Sequence, residues 1–229
     1  MNFLWWTHAS RRDIDNWGAL GNKGWSWDEL PPYLKKSEMY VQPSKQVEAD
    51  LRTDYVEPSL HGLNGPIVNS FPNSYGPLME AWPRTFETLG IGVDGDPRGG
   101  VALGGYTNLF NIDPESHSRS YPATAYYAPA SRRPNFKAVT GAFATKILFD
   151  KVGNVTVATG VSYLKDGISY AATARKEVIV SAGSMQSSKL LELSGIGGYR
   201  LLKKYDIECL VDNPNVGENF QNHLILPLG

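Results

Sequence analysis

The chain has 229 residues, of which 41% are hydrophobic and 20% charged, and its formal net charge is −1. These are ordinary values for a globular protein, and the length is sufficient to bury a core. The near-neutral charge gives no electrostatic basis for binding nucleic acid or an anionic membrane, and no apolar run is long enough to span a bilayer. The single cysteine, Cys209, excludes an intramolecular disulfide, and no metal site is predicted.

The first half of the chain predicts helices separated by irregular segments. Ser26 to Glu29 predicts a helix start, with Ser26 as the N-cap and acidic residues in the first turn. Residues 41–77 are rich in Pro, Ser, Asn and Gly, which predicts irregular structure with short strands. Pro77 to Leu89 has helical spacing of its apolar residues and is followed by Gly90 as a stop. Ser120 to Ala130 predicts another helix.

From Asn135 onward the pattern changes to short runs that favour strands. The predicted strands are Phe136–Val139, Thr145–Phe149, Val155–Leu164, Ile168–Ala174 and Val178–Ser181. Val152-Gly-Asn154 and Lys165-Asp-Gly167 predict hairpin turns, because Asn and Gly tolerate positive φ. Leu201 to Tyr205 predicts a short helix.

Val178 to Gly197 is the most informative segment. A short apolar run turns at Ala182-Gly183 and enters a stretch with helical spacing at Leu190, Leu191 and Leu193. A strand that turns sharply into a helix leaves backbone N–H groups unpaired at its tip. Gly and Ser at such a turn let a flat or anionic ligand approach the main chain. The segment therefore predicts a ligand-facing strand–turn–helix in an α/β domain.

The stretch from Gly183 to Gly197 also resembles the second signature of the glucose–methanol–choline (GMC) oxidoreductase family. Further segments match that family in the expected order, and they are Asn2–Trp5, Gly21–Trp27, Leu34–Glu38, His61–Pro66, Arg119-Ser120, Arg133–Asn135 and Val216–His223. One such motif would be a weak signal, whereas an ordered series over nearly the whole chain is specific. The resemblance implies an FAD-dependent enzyme that oxidises a primary or secondary alcohol (an aryl, sugar or secondary-metabolite alcohol) by hydride transfer to flavin N5.

The resemblance also implies a fold and a division of the chain. The implied fold is mixed α/β, with strands of the FAD domain beside part of an antiparallel-sheet substrate domain. The implied parts are an FAD-contacting loop and lid region (1–50), a part of the substrate domain (51–134), a part of the FAD domain with a β-meander and the signature (135–210), and a return to the substrate domain (211–229).

Five residues are candidate FAD contacts by the same resemblance. Asn2, Phe3, Leu4 and Trp5 align with the family loop that lies against the isoalloxazine ring, where a flavin needs N–H donors at one edge and apolar walls. Ala144 aligns with a position whose backbone contacts the adenine end of FAD. Plainer interpretations stay open, namely a frayed terminus for the loop and an ordinary strand residue for Ala144.

Two parts of the family pattern are not found in the sequence. No set of glycines has the Gly-x-Gly-x-x-Gly spacing after an apolar strand, which the FAD pyrophosphate requires. The family's catalytic His segment is expected beyond Gly229, so no catalytic residue is assigned. His8, His61, His117 and His223 are interpreted as structural or solvated side chains. The sequence is accordingly interpreted as an internal fragment of a longer flavoenzyme.

Two other hypotheses remain. The chain could be a truncated or split-gene fragment without activity of its own, acting as a binding module or assembling with the flanking parts of the enzyme on another chain. An early cluster of tryptophans suggests, less specifically, a carbohydrate-binding module. For the alcohol-oxidising enzyme, the expected partner is a small-molecule alcohol, and neither nucleic acid nor a membrane is expected to bind. Met1–Trp6 is too short and lacks the basic start of a signal peptide, which favours an intracellular setting.

Overall fold

In a computed structural model, which describes residues 4–222, the chain divides after Lys137 into two compact units. We call them unit 1, up to Lys137, and unit 2, from Ala138. Helices and strands occur in both units, so the predicted mixed α/β fold is confirmed. The predicted assignment of residues 1–50, 51–134, 135–210 and 211–229 to flavin and substrate domains stays a prediction.

Unit 1 combines helices with short paired strands. Its helices are α1 (Arg11–Ala19), α2 (Pro31–Ser37), α3 (Lys45–Leu51), α4 (Pro77–Thr88) and α5 (Ala128–Ala130), the last of which continues a π-helical turn at Ala123–Tyr127. Its strands are β1 (Glu38–Tyr40), β2 (Ile67–Asn69), β3 (Ile112–Asp113) and β4 (Ser118–Arg119). Strands β1 and β2 pair in parallel, and β3 and β4 pair antiparallel. Short 3-10 turns lie at Pro58–Leu60 and Pro97–Gly99.

Several helix ends in unit 1 follow simple sequence rules. Ser10 caps α1 and Ser44 caps α3, because each side chain accepts a hydrogen bond from a backbone N–H in the first turn. Helix α4 begins at Pro77 and is followed by Gly90 at φ +71°, which confirms the predicted helix and its stop. The helix predicted from Ser120 begins at Ala123.

Ser26 does not cap a helix, contrary to the prediction. Residues 26–30 form a turn, in which the Ser26 hydroxyl donates to the Glu29 carboxylate at 2.7 Å, and helix α2 begins only at Pro31. Proline suits the first helical position, because the N–H that it lacks would have no helical partner there.

Residues 41–77 are also more ordered than predicted, because they include helix α3. Val47 and Leu51, one helical turn apart, bury the same face of this helix. They belong to the core of unit 1, whose buried members are Tyr40, Val47, Leu51, Phe71 and Leu109. Fully burying one such side chain stabilises the fold by roughly 1.5–3 kcal/mol. Trp6 and Tyr55 pack against this core and join the N-terminal residues to it.

Unit 2 is built on an antiparallel three-stranded meander of β5 (Phe143–Val152), β6 (Val155–Lys165) and β7 (Ile168–Thr173). The remaining elements are α6 (Ser184–Leu193), β8 (Ile196–Gly197), α7 (Tyr199–Lys204) and β9 (Val211–Asp212), with β8 and β9 paired in parallel. Both predicted hairpins are confirmed, and Gly153, Asp166 and Gly167 have the positive φ angles that these turns require.

Two predicted strands are not strands. Phe136–Val139 and Val178–Ser181 have no hydrogen-bonded strand beside them within residues 4–222. Phe136 instead packs against the ring of Tyr127, with centroids 5.9 Å apart, and Ile179 is 76% exposed. A β-branched run forms a strand only where a neighbouring strand supplies the ladder, which local sequence does not reveal.

Two glycines of the His61–Pro66 turn are required by close packing. A Cβ atom added to Gly62 would overlap the carbonyl oxygen of Lys35, and one added to Gly65 would overlap the backbone nitrogen of Glu38. The backbone of this turn therefore lies directly against the junction of α2 and β1.

Gly65→Ala is expected to lower the free energy of unfolding by about 3 kcal/mol, because rigid backbone atoms would have to move. Gly99→Ala is the matched control, since its Cβ would meet only the Leu60 side chain at an ordinary 3.7 Å. The control should stay within about 0.5 kcal/mol of the parent in urea-induced unfolding. Equal losses for the two variants would contradict this account.

Candidate functional site

The N-terminal loop, defined here as residues 4–8, lies beside the segment 109–111. Leu4 accepts and Trp6 donates a backbone hydrogen bond to that segment, at 2.7 and 2.9 Å, and Trp5 forms an antiparallel bridge with it. Leu4 has φ +69°, a conformation that costs an ordinary residue about 1–2 kcal/mol. The flanking hydrogen bonds hold the loop in this geometry.

The loop contains part of the predicted flavin contact. Leu4 and Trp5 belong to the hydrogen-bonded segment just described, so this portion of the chain is anchored rather than frayed. Trp5 is 42% exposed and Leu4 is half-buried. Asn2 and Phe3 lie outside the described residues. The flavin contact of all four residues stays a prediction.

Leu4 and Trp6 line a cleft of about 400 Å³, which we call the apolar cleft. The other residues that line it are Ser37, Ile67, Asn111, Arg119, Ser120, Tyr121, Pro122 and Tyr126. A volume of this size falls within the range of small-molecule sites, and apolar walls with a few polar groups are typical of them.

Close to the loop, four side chains form a buried charged cluster of Glu38, His61, Asp96 and Arg98. Their side chains are between 1% and 6% exposed. Arg98 Nη2 lies 2.6 Å from Glu38 Oε1, and the two ring nitrogens of His61 lie 3.4 Å from Glu38 Oε1 and 2.9 Å from Asp96 Oδ2. His61 therefore bridges two carboxylates, one of which also holds the guanidinium.

Both carboxylates of the cluster receive further hydrogen bonds. The Gly62 N–H donates to Glu38 at 3.1 Å, and the Asn69 carboxamide donates to it at 3.2 Å. Two backbone N–H groups donate to Asp96 at 2.8 and 2.9 Å. Buried charges are tolerated only when they are paired and hydrogen-bonded, and these conditions are met here.

The cluster shifts the pKa values of its members. Burial alone raises the Glu38 pKa, but the hydrogen bond from His61, the Arg98 charge and the Gly62 N–H outweigh it and lower that pKa to about 2. The Asp96 pKa is lowered in the same way, because its hydrogen bonds from His61 and the backbone outweigh burial. Burial lowers the His61 pKa, yet its hydrogen bonds to both carboxylates raise it overall.

His8, at the end of the N-terminal loop, extends the cluster. Its Nδ1 lies 2.8 Å from Arg98 Nη1, and its ring packs edge-on against Trp6 with centroids 5.9 Å apart. Burial and then the Arg98 charge lower the His8 pKa to about 4. Because a guanidinium can only donate, neutral His8 accepts this hydrogen bond. The Arg98 guanidinium also lies 5.6 Å from the centre of the Trp6 ring.

The free energy of unfolding is expected to be greatest near pH 6.5, which is the ordinary pKa of His8 and His61. Between pH 6.5 and 4 the unfolded chain binds a proton at His8 that the folded chain excludes, so stability falls as the pH falls. Protonation of Glu38 and Asp96 continues the loss at lower pH. Above pH 6.5 the folded chain keeps a proton on His61 that the unfolded chain loses, so stability falls as the pH rises.

Urea unfolding across pH 3–9 checks this profile. His8→Gln should remove a loss on the order of 2 kcal/mol between pH 6.5 and 4. His61→Gln should reduce the fall in the free energy of unfolding above pH 6.5. Exposed His117→Gln is the control, in which that free energy should still fall on both sides of pH 6.5. If stability fell above pH 6.5 as steeply in His61→Gln as in the parent, that loss could not be assigned to His61.

The sequence interpretation placed His61 in a glycine-rich loop with a structural role, and the structure agrees while showing it to be buried and bonded to two carboxylates. It gave no indication of Glu38, Asp96 or Arg98 as site residues. Asp96 and Arg98 sit in a 3-10 turn, where Asp96 caps the turn by accepting from the Arg98 N–H. The Asp-Pro-Arg run is a turn signal that could have been noticed, but nothing in it reveals that Arg98 pairs with Glu38, 60 positions earlier.

In unit 2, Ala144 lies on β5 and lines a second cleft of about 370 Å³, which we call the alanine-lined cleft. The other lining residues are Ala142, Phe143, Ala182, Gln186, Lys189, Leu190 and Leu193. Ala144 and the predicted ligand-facing turn at Ala182-Gly183 therefore border one cleft. Gly183 has φ +93°, which a residue with a side chain would rarely adopt.

Ser194 links the two elements that line this cleft, β5 and α6. Its hydroxyl accepts a hydrogen bond from the Ile147 N–H at 2.8 Å and donates to the Leu190 carbonyl at 2.6 Å, so it ties α6 to β5. Gly195 follows at φ +91°, and a Cβ there would lie 2.6 Å from the Glu208 carbonyl oxygen. These two residues of the signature position the helix.

The alanine-lined cleft fits one end of a dinucleotide. Three of its lining side chains are small alanines, so a flat ring can approach the backbone of β5. Within the described residues no side chain caps α6, so the first N–H groups of this ten-residue helix are open to a ligand's acceptor atoms. One nearby donor, the Ala182 N–H, is already bonded to Ser187 at 3.0 Å.

The remaining candidates behave as ordinary structural or surface residues. Trp27 is buried, whereas Trp17 and Trp25 form an edge-to-face pair at 5.7 Å and are half-exposed. His117 is exposed, and His223 lies outside the described residues.

In residues 4–222, no helix has the length and apolarity to cross a membrane. Over the same range no three His, Cys, Asp or Glu side chains are grouped to hold a metal ion.

The mixed fold is shared with a solved FAD-dependent oxidoreductase. A solved FAD-dependent oxidoreductase from Chaetomium thermophilum matches 93% of this chain with a TM-score of 0.85 and 33% identity, over 36% of its own length. The family model described as GMC oxidoreductase matches residues 1–225, and the chain belongs to this family. FAD is the cofactor that the family and this structural relative indicate for the protein.

The chain spans about 36% of the length of the curated relatives that it matches. It is 41% identical to Dehydrogenase citC of Monascus ruber over 97% of this chain and 36% of that protein. It is 37% identical to the GMC oxidoreductase family protein Mala s 12 of Malassezia sympodialis over 98% of this chain and 37% of the relative. A fungal aryl-alcohol oxidase structure matches 94% of this chain and 36% of its own, with 26% identity and a TM-score of 0.80.

Proposed function

We propose that the whole protein is an FAD-dependent oxidoreductase that oxidises a primary or secondary alcohol of a small molecule. The observation that carries this proposal is the shared cleft of Ala144 and the Ala182-Gly183 turn, in a chain that belongs to the GMC family. When bound, FAD accepts the hydride that leaves the carbinol carbon. No residue of this chain is proposed as the base that removes the hydroxyl proton.

The role proposed for this chain is to bind and orient the cofactor. The backbone of Asn2, Phe3, Leu4 and Trp5 would present N–H donors to the isoalloxazine edge, and Ala144 would contact the adenine end through its backbone. The positive φ of Leu4 supports the first role, because strained backbone of this kind concentrates at ligand sites.

The substrate class proposed is an aryl alcohol rather than a sugar. The walls of the apolar cleft are mostly apolar, with Tyr121 and Tyr126 among them, which favours a flat aromatic body over a polyhydroxylated one. One of the structural relatives is an aryl-alcohol oxidase. The division into parts 1–50, 51–134, 135–210 and 211–229 belongs to the same proposal.

The function is tested with the chain expressed together with the coding sequence on both of its sides. The product should purify with a flavin absorption spectrum, and it should oxidise benzyl alcohol with a higher kcat/KM than glucose. Colourless protein, or turnover of glucose alone, would contradict the proposal.

The second candidate function is that the 229-residue chain is inactive by itself and works only with the flanking parts. The observation that favours it is the 36% coverage of the relatives, since cofactor binding stabilises only a fold that contains its contacts. The purified chain is expected to retain well under one FAD per molecule after gel filtration and to give no turnover. Stoichiometric, tightly held FAD would contradict this expectation.

Filling the alanine-lined cleft should weaken FAD binding. Ala144→Trp places an indole in the space proposed for the adenine end, and we expect at least a tenfold higher Kd, or about 1.4 kcal/mol. Val155→Trp, at the hairpin end of the same sheet and 63% exposed, is the matched control. Titration of the flavin-free longer protein with FAD, followed by flavin fluorescence, measures both. Equal Kd values for the two variants would exclude Ala144 from the site.

A further inference from the structure

One surface turn of unit 2 carries a motif to which neither the family match nor the predicted flavin contacts assign a role. Asn154-Val155-Thr156 has the pattern Asn-X-Ser/Thr, with X other than proline, which is the acceptor for N-linked glycosylation. No other asparagine in the 229-residue sequence has Ser or Thr two positions later. Such triplets also arise by chance, so the place of this one in the fold decides whether it is usable.

Asn154 lies at the tip of the hairpin between β5 and β6. Strand β5 ends at Val152 and β6 begins at Val155, and these two residues pair, so Gly153 and Asn154 form a two-residue loop. Gly153 has the positive φ, +62°, that the first position of the favoured hairpin turns requires. An oligosaccharide attached at this tip extends beyond the ends of the strands and leaves their pairing undisturbed.

The Asn154 side chain is accessible and unbonded. The residue is exposed, and within residues 4–222 its carboxamide makes no hydrogen bond. Asn69 is the opposite case, since it is fully buried and its carboxamide donates to Glu38. Modifying a bonded, buried amide would break its interactions, whereas modifying Asn154 breaks none.

The face of the hairpin beside Asn154 is apolar. Val152 and Val155 lie opposite each other and Val157 follows on the same face, with exposed fractions of 66%, 63% and 39%. Strand β5 is also an outer strand of the meander. Exposed apolar side chains on an outer strand favour association with other chains. A bulky, hydrated oligosaccharide at the tip opposes such association.

We propose that Asn154 is a site of N-linked glycosylation, which takes its oligosaccharide from a lipid-linked pyrophosphate donor. Asn154 Nδ2 forms a bond to the anomeric carbon of the first sugar and loses one proton. The bond from that carbon to the pyrophosphate oxygen breaks, and the lipid pyrophosphate leaves with the bonding electrons. No group is oxidised or reduced. The site goes beyond the proposed alcohol oxidation and requires no flavin.

Glycosylation of this kind requires that the protein enter the secretory pathway. The intracellular setting favoured by Met1–Trp6 is an expectation drawn from the start of this sequence alone, and the chain spans about 36% of the length of its curated relatives. An oligosaccharide on Asn154 contradicts that expectation, so one measurement separates the two.

The test is the mass spectrum of one peptide from the whole protein, purified from its native cells and their medium. Trypsin cleaves after Lys151 and Lys165, which isolates the peptide Val152–Lys165. Most of this peptide should carry an oligosaccharide. Its removal by peptide-N-glycosidase F in heavy-oxygen water should convert Asn154 to Asp labelled with heavy oxygen. An unmodified peptide as the main species would overturn the proposal.

Two variants of the whole protein, secreted from a glycosylating eukaryotic host beside the parent, define the acceptor. Thr156→Ser keeps the motif, and its Val152–Lys165 peptide should still be glycosylated. Thr156→Val has nearly the same shape but no hydroxyl, and its peptide should be unmodified. Glycosylation of Thr156→Val, or its absence from both the parent and Thr156→Ser, would contradict the assignment. Because the readout needs neither flavin nor turnover, failure here is distinguishable from failure of the proposed oxidation.

Discussion

The Glu38 carboxylate is the group on which unit 1 depends. It lies at the start of β1 and is 1% exposed, and it binds Arg98, His61, the Gly62 N–H and the Asn69 carboxamide. Removing one partner from such a buried pair leaves an uncompensated charge, at a cost of about 3–5 kcal/mol. Segments distant in sequence must therefore meet at one point, and the β1–β2 pair, the His61 turn and the Asp96 turn are positioned together.

The same cluster determines where the N-terminal loop lies. Arg98 contacts Glu38 on one side and His8 and the Trp6 ring on the other, so one guanidinium connects the buried carboxylates to the loop. Two backbone hydrogen bonds, one accepted by the Leu4 carbonyl and one donated by the Trp6 N–H, then fix the loop against residues 109–111. A loop anchored in this way is preorganised to present its backbone to a ligand, which a frayed terminus could not do without losing conformational entropy on binding. Charge pairing in the interior and the proposed contact with a flavin are thus parts of one arrangement.

Sequence reasoning succeeded where structure is determined locally. The hairpins at Gly153 and Gly167, the helix from Pro77 and the turn at Gly183 each depend on a few adjacent residues, and each was predicted. It failed for Val178–Ser181, since a strand needs a partner that the run itself does not specify, and for Ser26, where proline set the helix start instead. Glu38, His61, Asp96 and Arg98 were beyond its reach, because they meet only after folding and show no periodic pattern.

The signature segment explains why a sequence match can identify a family without identifying a substrate. Ser194 ties α6 to β5, and Gly195 allows the backbone to pass close to Glu208, so both position the helix. Gly183 supplies the positive φ at which the turn enters that helix. These residues shape the alanine-lined cleft, which we propose as the contact with one end of FAD, and none of them is proposed to react with a substrate. Under the proposed function, substrate choice depends instead on the walls of the apolar cleft, which are formed by residues such as Leu4, Ile67 and Tyr121 from separate segments of the chain.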